Sequence, residues 1–314
     1  MTYKHRERAL DIRQLKYLIA VTEELNFGKA ALRLHVAQSA LSHQIQLLEE
    51  EIGIRLLDRN KRAPIHLTEA GKQFLAAARA ALEHFNRTEL VGRRLGRGEL
   101  GKVKIGYVAS ATFSGLLPAT AFAFRQQWPN VDIDIKEMES TRQTAALTAG
   151  EIDIGFFRPL PDYPIGIEAI VLLQEPVIIA LRRDHPLIDR ATPILAADLA
   201  GCNFIVPQSD DEAGFSRHVA TIARQGGFTP HFSHHMRDFI SVLSLVGVGI
   251  GIAAVPASLQ CVQPADVVYR PIADCAISAE LMAAFRRDEQ SPAIVNFIKV
   301  IRQHVRTASH PDMA

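Results

Sequence analysis

Residues 26–52 read Asn26-Phe27-Gly28-Lys29-Ala30-Ala31-Leu32-Arg33-Leu34-His35-Val36-Ala37-Gln38-Ser39-Ala40-Leu41-Ser42-His43-Gln44-Ile45-Gln46-Leu47-Leu48-Glu49-Glu50-Glu51-Ile52. Two helical patterns lie here with only a few residues between them. Phe27, Ala30, Ala31 and Leu34 share one face of the first, and Leu41, Ile45, Leu48 and Ile52 share one face of the second. The Ala30-Ala31 pair is small enough for a second helix to cross closely. Ser39 has the chemistry of an N-cap and is expected to start the second helix.

The outward face of that second helix gathers Gln38, Ser39, Ser42, His43 and Gln46, nearly all in its first two turns. These side chains are polar, largely uncharged, and carry both donors and acceptors. Such groups suit the edges of base pairs in a major groove. A helix-turn-helix places the start of its second helix there. A solvated face is the ordinary state of a surface helix, so the neighbouring residues have to decide between the two readings.

From Leu15 to Gly71 the chain resembles the LysR-type transcriptional regulators. The resemblance is carried by Ala30-Ala31, Leu34, Val36-Ala37-Gln38, Leu41-Ser42, Gln44-Ile45, Leu48-Glu49, Gly53, Leu56-Leu57, Arg59 and Leu67-Thr68-x-Ala70-Gly71. Two positions depart from the family pattern: Ser39 stands where Pro is frequent, and His43 where Arg is usual. The resemblance implies a winged helix-turn-helix that binds an operator in double-stranded DNA. Its expected DNA-contacting residues are Gln38, Ser39, Ser42, His43, Gln46 and Arg33, with Arg59, Lys61 and Arg62 on the wing.

Length and charge agree with that reading. A chain of 314 residues suits two or three domains. Through residue 100 there are 17 Lys and Arg against 12 Asp and Glu, a balance of +5. The remainder holds 18 against 22, a balance of −4. A basic front and an acidic back fit a nucleic-acid module joined to something else. Residues 1–10 are polar and basic with no apolar core, so no secretion signal is read there. They read as a mobile arm. No apolar run approaches a membrane span. Cys202, Cys261 and Cys275 are odd in number and lack paired spacing, which suits a reduced, cytoplasmic setting.

Taken in order, Asp11 is placed to cap a first helix with Leu15, Leu18 and Ile19 facing inward. Arg55–Leu57 and Ile65–Leu67 read as short extended pieces flanking a wing whose Arg59, Lys61 and Arg62 reach phosphates. Thr68 then caps a long helix running to about Leu95. Phe74, Ala78, Ala81, Phe85, Thr88, Gly92 and Leu95 follow a heptad-like spacing, with a competing register through Leu75, Ala78, Leu82 and Phe85. One broad apolar stripe with little of its own chain to cover it calls for a partner. The family uses this helix to dimerise, and the resemblance implies a homodimer here, with assembly to a tetramer and contact with RNA polymerase.

Beyond the glycine-rich stretch Gly92–Gly101 the pattern alternates strands and helices. Lys102–Val108, Val131–Glu137 and Ile152–Phe157 read as strands, with helices over Phe113–Trp128 and Thr141–Ala149. This order implies a parallel sheet with right-handed crossovers. A second α/β unit follows, with strands at Ile167–Leu173, Val177–Leu181 and Phe204–Val206. The expected class is α/β. Residues 1–67 form the DNA-binding domain, 68–100 the linker helix and hinge, and 101–314 a two-lobed effector-binding domain like periplasmic binding proteins. Lobe I covers about 101–160 and 278–306, and lobe II about 165–275.

Ligands of open α/β sheets sit beyond the carboxyl ends of strands. Ser110 and Thr112 follow the first strand of lobe I, Ser140 and Thr141 the second, and Arg158 the third. Hydroxyls and free N–H groups at helix starts favour an anion, and an arginine pairs a carboxylate. Lobe II adds Pro207, Gln208 and Ser209 at a strand end, with Phe215 and Phe239 as walls. No carboxylate is seen to neutralise that rim. The resemblance extends to members that sense aromatic acids or their ring-opened diacids, so an organic carboxylate of that kind is the expected effector.

Other signals are weaker. His231, His234 and His235 fall on alternating faces without a Cys or acidic partner at ligand spacing, so no metal and no cofactor is expected. Cys202 reads as a buried thiol rather than a redox sensor. The glycines of 247–251 precede a strand, the wrong order for a dinucleotide loop. An enzyme using Ser110 or Cys202 as nucleophile lacks a recognisable base. The alternative of a transport solute-binding protein predicts an export signal and no helix-turn-helix, the reverse of what is read.

Overall fold

The computed structural model describes residues 10–58, 65–189, 192–208 and 214–308, with side chains to residue 304. Its chain divides into two compact units, Met1–Arg93 and Arg94–Ala314. The first opens with α1 (Ile12–Glu24), started by a capping box. The Asp11 carboxylate accepts from Arg13 N, and Gln14 returns a bond to Asp11 N. Asn26 caps α2 (Phe27–Arg33) by accepting from Lys29 N at 3.0 Å. The next helix, α3, spans Gln38–Ile52. Leu18, Val21, Ala30, Ala31, Leu41, Ile45 and Leu48 close the core between the three.

Ser39 does not cap α3. The helix begins at Gln38, with Ala37 in the N-cap position and no side-chain cap bond. Ser39 is therefore already inside the first turn, and its side chain lies exposed on the outward face. A turn that needs φ of +55° at His35 brings α2 round to α3.

Strands β1 (Leu57–Asp58) and β2 (His66–Leu67) pair antiparallel as the base of the wing. The Glu49 carboxylate fixes its approach by accepting from Leu56 N at 2.8 Å and Leu57 N at 3.0 Å. Arg59, Lys61 and Arg62 lie outside the described residues. Thr68 caps α4 (Glu69–Gly96), accepting from Gly71 N at 2.9 Å and donating to Arg55 O at 2.8 Å. Position 71 must be glycine, because a Cβ there would strike the Leu56 carbonyl. Only Gly71 and Ala78 of α4 are buried, while Phe85, Leu90, Val91 and Leu95 are exposed.

The second unit starts as α4 ends. Gly98 takes φ of +69°, and Asn296 Nδ2 donates to Arg97 O at 3.1 Å. Strand β3 (Gly101–Tyr107) leads into α5 (Ala109–Phe113) and α6 (Leu116–Gln127). The single helix read over Phe113–Trp128 is thus two, split where Gly115 turns left-handed at φ of +74°. Then come β4 (Val131–Glu137), α7 (Ser140–Ala149) and β5 (Ile154–Phe157). β4 and β5 flank β3, both parallel to it, as the alternation implied.

β6 (Ile167–Arg182) is one 16-residue strand where the sequence read two. After it come β7 (Asn203–Pro207), α8 (Phe215–Gly226), β8 (His231–Met236), α9 (Phe239–Gly247), β9 (Ala253–Pro256), β10 (Val267–Pro271), β11 (Ser278–Arg286) and α10 (Pro292–Ala308). The first half of β6 pairs with β11, which pairs in turn with β5. Its second half pairs with β9 and β10. Pro176 lies between the halves, and its missing N–H is tolerated because pairing changes partner there. β6 therefore carries the chain between two hydrophobic cores. Lobe I packs Val103, Ile105, Phe124, Phe156, Leu281 and Phe297. Lobe II packs Leu181, Phe204, Val219, Leu243 and Val255.

Candidate functional site

In the first unit, the start of α3 has no side-chain cap. Its first N–H groups therefore remain for an outside acceptor such as a phosphate oxygen. Gln38, Ser39, His43 and Gln46 are exposed beside it, and Ser42 is half-buried. Gln46 Nε2 donates to Glu50 at 3.0 Å, so its amide is held one turn along the helix. Arg33 is engaged within the unit: it donates to Glu23 at 2.8 Å and pairs with Glu24 at 3.3 Å. The bond to Glu23 is the main reason its pKa is raised.

In the second unit a cavity of about 250 Å³ opens between the lobes. Lobe I contributes Ser110 from α5, Ser140 from α7 and Arg158 beyond β5. Lobe II contributes Pro207, Gln208, Phe215 and Phe239. Phe215 and Phe239 meet edge-on at 5.0 Å and form an apolar wall. Thr112 and Thr141 do not line this cavity. Thr112 Oγ1 turns back to donate to Ala109 O at 2.6 Å, and Thr141 is exposed one residue beyond Ser140. Ser209 lies outside the described residues.

Two helix starts point into the cavity from opposite lobes. The N-cap of α7 is Glu139 and that of α8 is Gly214, neither makes a side-chain cap bond, and both line the cavity. α9 differs, because Asp238 caps it by accepting from Ser241 N at 2.8 Å.

Arg158 departs from the expectation of an unneutralised rim. It is 6% exposed, and Glu175 Oε1 lies 3.5 Å from its Nη2. Nε donates to Ser110 Oγ and Nη1 to Glu280 O, each at 3.0 Å. Its guanidinium also lies 5.6 Å over the Phe215 ring. Glu175 Oε2 accepts from Ser258 N at 2.6 Å, so the pair ties β6 to the segment after β9. Burial lowers the Arg158 pKa, and Glu175 opposes that shift. Sequence reasoning passed over Glu175 because it sits in the middle of a strand, not at a strand end.

Three further charged residues line the cavity and were also missed: Glu137, Glu139 and Arg237. All are exposed. The strand-end rule would have found them, since Glu137 ends β4, Glu139 lies two residues beyond it and Arg237 directly follows β8. Behind Phe215 lies His218, with ring centroids 4.7 Å apart. Its Nδ1 is buried without a hydrogen-bond partner among the described residues. Burial, and then the charge of Arg158, hold its pKa below 6.5.

The remaining candidates are soon placed. His231 Nδ1 lies 3.0 Å from Asn203 Oδ1, and His234 and His235 are exposed. Among the described residues no cluster of three or more His, Cys, Asp or Glu is arranged to hold a metal ion. Cys202 is half-buried, and burial raises its pKa. No helix among the described residues is long and apolar enough to cross a membrane.

A DNA-reading head followed by a two-lobed ligand cavity defines a class of effector-responsive regulators. The comparisons with known proteins agree. Residues 12–72 match a family model described as bacterial regulatory helix-turn-helix protein, lysR family, and residues 96–306 match the LysR substrate binding domain. The HTH-type transcriptional regulator AlsR of Bacillus subtilis (strain 168) is 36% identical over 95% of this chain and 98% of its own length. Full-length CbnR, solved in complex with its target DNA, superposes with a TM-score of 0.79 at 30% identity, covering 94% of this chain and 100% of that one. The effector-binding domain of BenM, solved with its effector benzoate, gives a TM-score of 0.59 at 31% identity over 68% of this chain and 95% of that one. The chain belongs to the LysR family and is a DNA-binding transcription regulator with an effector-binding domain. Nothing in these matches supports a solute-binding protein of a transport system.

Proposed function

We propose that a small organic carboxylate, an aromatic acid or an unsaturated diacid, binds between the two lobes and modulates operator binding or promoter activation. The observation that carries this reading is the meeting of two uncapped helix starts, α7 from lobe I and α8 from lobe II, at one cavity. Ser110 and Ser140 add hydroxyl donors, and Phe215 and Phe239 supply the apolar wall. An anion satisfying donors from both lobes favours their closed arrangement by its higher affinity for that state. BenM, a relative in sequence, has benzoate as its effector.

On this reading Gln38, Ser39, Ser42, His43 and Gln46 face base edges, while Arg59, Lys61 and Arg62 face phosphates. Arg33 joins them by exchanging its glutamate partners for phosphate. α4 joins two copies through its exposed Phe85, Leu90, Val91 and Leu95. A tetramer and a contact with RNA polymerase complete the cytoplasmic assembly. The chain binds its effector without turning it over. Ser110 Oγ accepts from a guanidinium, which activates no nucleophile.

The test is a thermal-shift comparison of benzoate with benzamide on the full chain. Benzoate is expected to raise Tm, benzamide to leave it unchanged, and Ser140→Ala to remove most of the benzoate shift. Equal stabilisation by benzamide would show that the cavity does not select an anion.

A further inference from the structure

The cavity has two chemically different ends. Ser110, Ser140, Arg158 and Phe215 are buried and form its floor. Glu137 and Glu139 of lobe I and Arg237 of lobe II are exposed and form its mouth. None of these three side chains has a hydrogen-bond or ion-pair partner among the described residues. The other charged side chains of the lining among the described residues, Arg158 and Asp238, are already engaged. Arg158 is offset by Glu175, and Asp238 caps α9. Among the described residues the mouth therefore presents two free carboxylates against one free guanidinium.

Building on the carboxylate reading above, and narrowing it to the aromatic acid over the diacid, we propose that the effector is an acid whose far end donates hydrogen bonds, a hydroxyl- or amino-substituted carboxylate, and that a second carboxylate is selected against. The first carboxylate rests on the floor, where N–H and O–H donors converge. A ligand body resting on Phe215 and Phe239 then carries its opposite end outward to the mouth. A hydroxyl or amino group there donates to Glu137 or Glu139 and still offers Arg237 an acceptor when it is a hydroxyl. A carboxylate in the same place meets two like charges and one opposite charge. Specificity of this kind comes as much from the repelled competitor as from the accepted ligand.

The inference is tested by calorimetry on the full chain with five probes: benzoate, 3- and 4-hydroxybenzoate, and the matching diacids isophthalate and terephthalate. Within at least one matched pair the hydroxy acid is expected to bind about threefold more tightly than the diacid, the scale of the one exposed like-charge contact left after Arg237 offsets the other. The gap should shrink in Glu137→Gln/Glu139→Gln, widen in Arg237→Gln, and narrow at high salt as screening removes the repulsion. Diacids binding as tightly as the hydroxy acids, or a gap unchanged in the double variant, would overturn this inference and leave the carboxylate reading standing. Failure of all five probes to bind would overturn this inference together with the aromatic-acid form of the carboxylate reading on which it rests.

Discussion

The guanidinium of Arg158 meets three chain segments at once: Ser110 after β3, Glu280 on β11 and Glu175 on β6. Removing one member of a buried pair leaves the other charge without compensation. Arg158→Ala is therefore expected to cost about 3–5 kcal/mol in urea unfolding. Loss of effector binding in that variant says nothing about direct contact, and Ser140 is the cleaner probe. His218 stands behind the same arginine with its pKa lowered, chiefly by burial. Above its ordinary value of 6.5 the ring is neutral in both folded and unfolded chains. As pH falls below that value, the unfolded chain takes up a proton that the folded chain resists, so stability drops until pH passes the lower folded value. His218→Asn should flatten the fall in Tm as pH drops below about 6.5. An unchanged slope would assign that fall to other groups. On the DNA side, Gln38→Ala is expected to cost about 1–3 kcal/mol at one operator position and to relax specificity there. A uniform loss across operator variants would make Gln38 a backbone contact.

At the scale of elements, α4 is the helix with the least cover. Its 28 residues bury only Gly71 and Ala78, and Phe85 is 44% exposed. Phe85→Glu is expected to give folded monomers by light scattering that bind a two-half-site operator weakly. A native-sized oligomer would place the contact elsewhere. The stripe of α4 was legible in the sequence because helical spacing needs no tertiary context. So were the caps Asp11 and Thr68, whose oxygens bond residues two or three along the chain, whereas the Asn26 cap was not read and Ser39 does not form the cap expected of it. Places where tertiary geometry decides were less legible. Gly115 breaks a continuous apolar pattern into α5 and α6, and pairing with β11 on one side and β9 and β10 on the other makes β6 one strand across Pro176. The cavity followed the same division. Ser110, Ser140, Arg158, Phe215 and Phe239 were found by their places after strands and at helix starts. Glu175 was not, because only the pairing of β6 with β11 brings it to Arg158, 17 positions away in sequence.

At the scale of the whole molecule, the chain passes from the DNA-reading unit to the effector unit inside α4, since the division falls at Arg93 and the helix continues to Gly96. The end of α4 is held to the effector unit, with Asn296 of α10 bonded to Arg97 O and Gly98 packed against the start of that helix. A ligand in the cavity can influence the operator only through a conformational equilibrium that both ligands bias, and such coupling is reciprocal. Benzoate, used as a probe, is therefore expected to change operator affinity by a factor in the typical range of about 5–150. Operator DNA should change benzoate affinity by the same factor. Both can be read by titrating each partner in the absence and in the saturating presence of the other. If benzoate binds tightly yet neither affinity moves, closure of the lobes is not transmitted through α4 to DNA binding. Regulation would then act after the operator is occupied, and promoter output would change at constant occupancy.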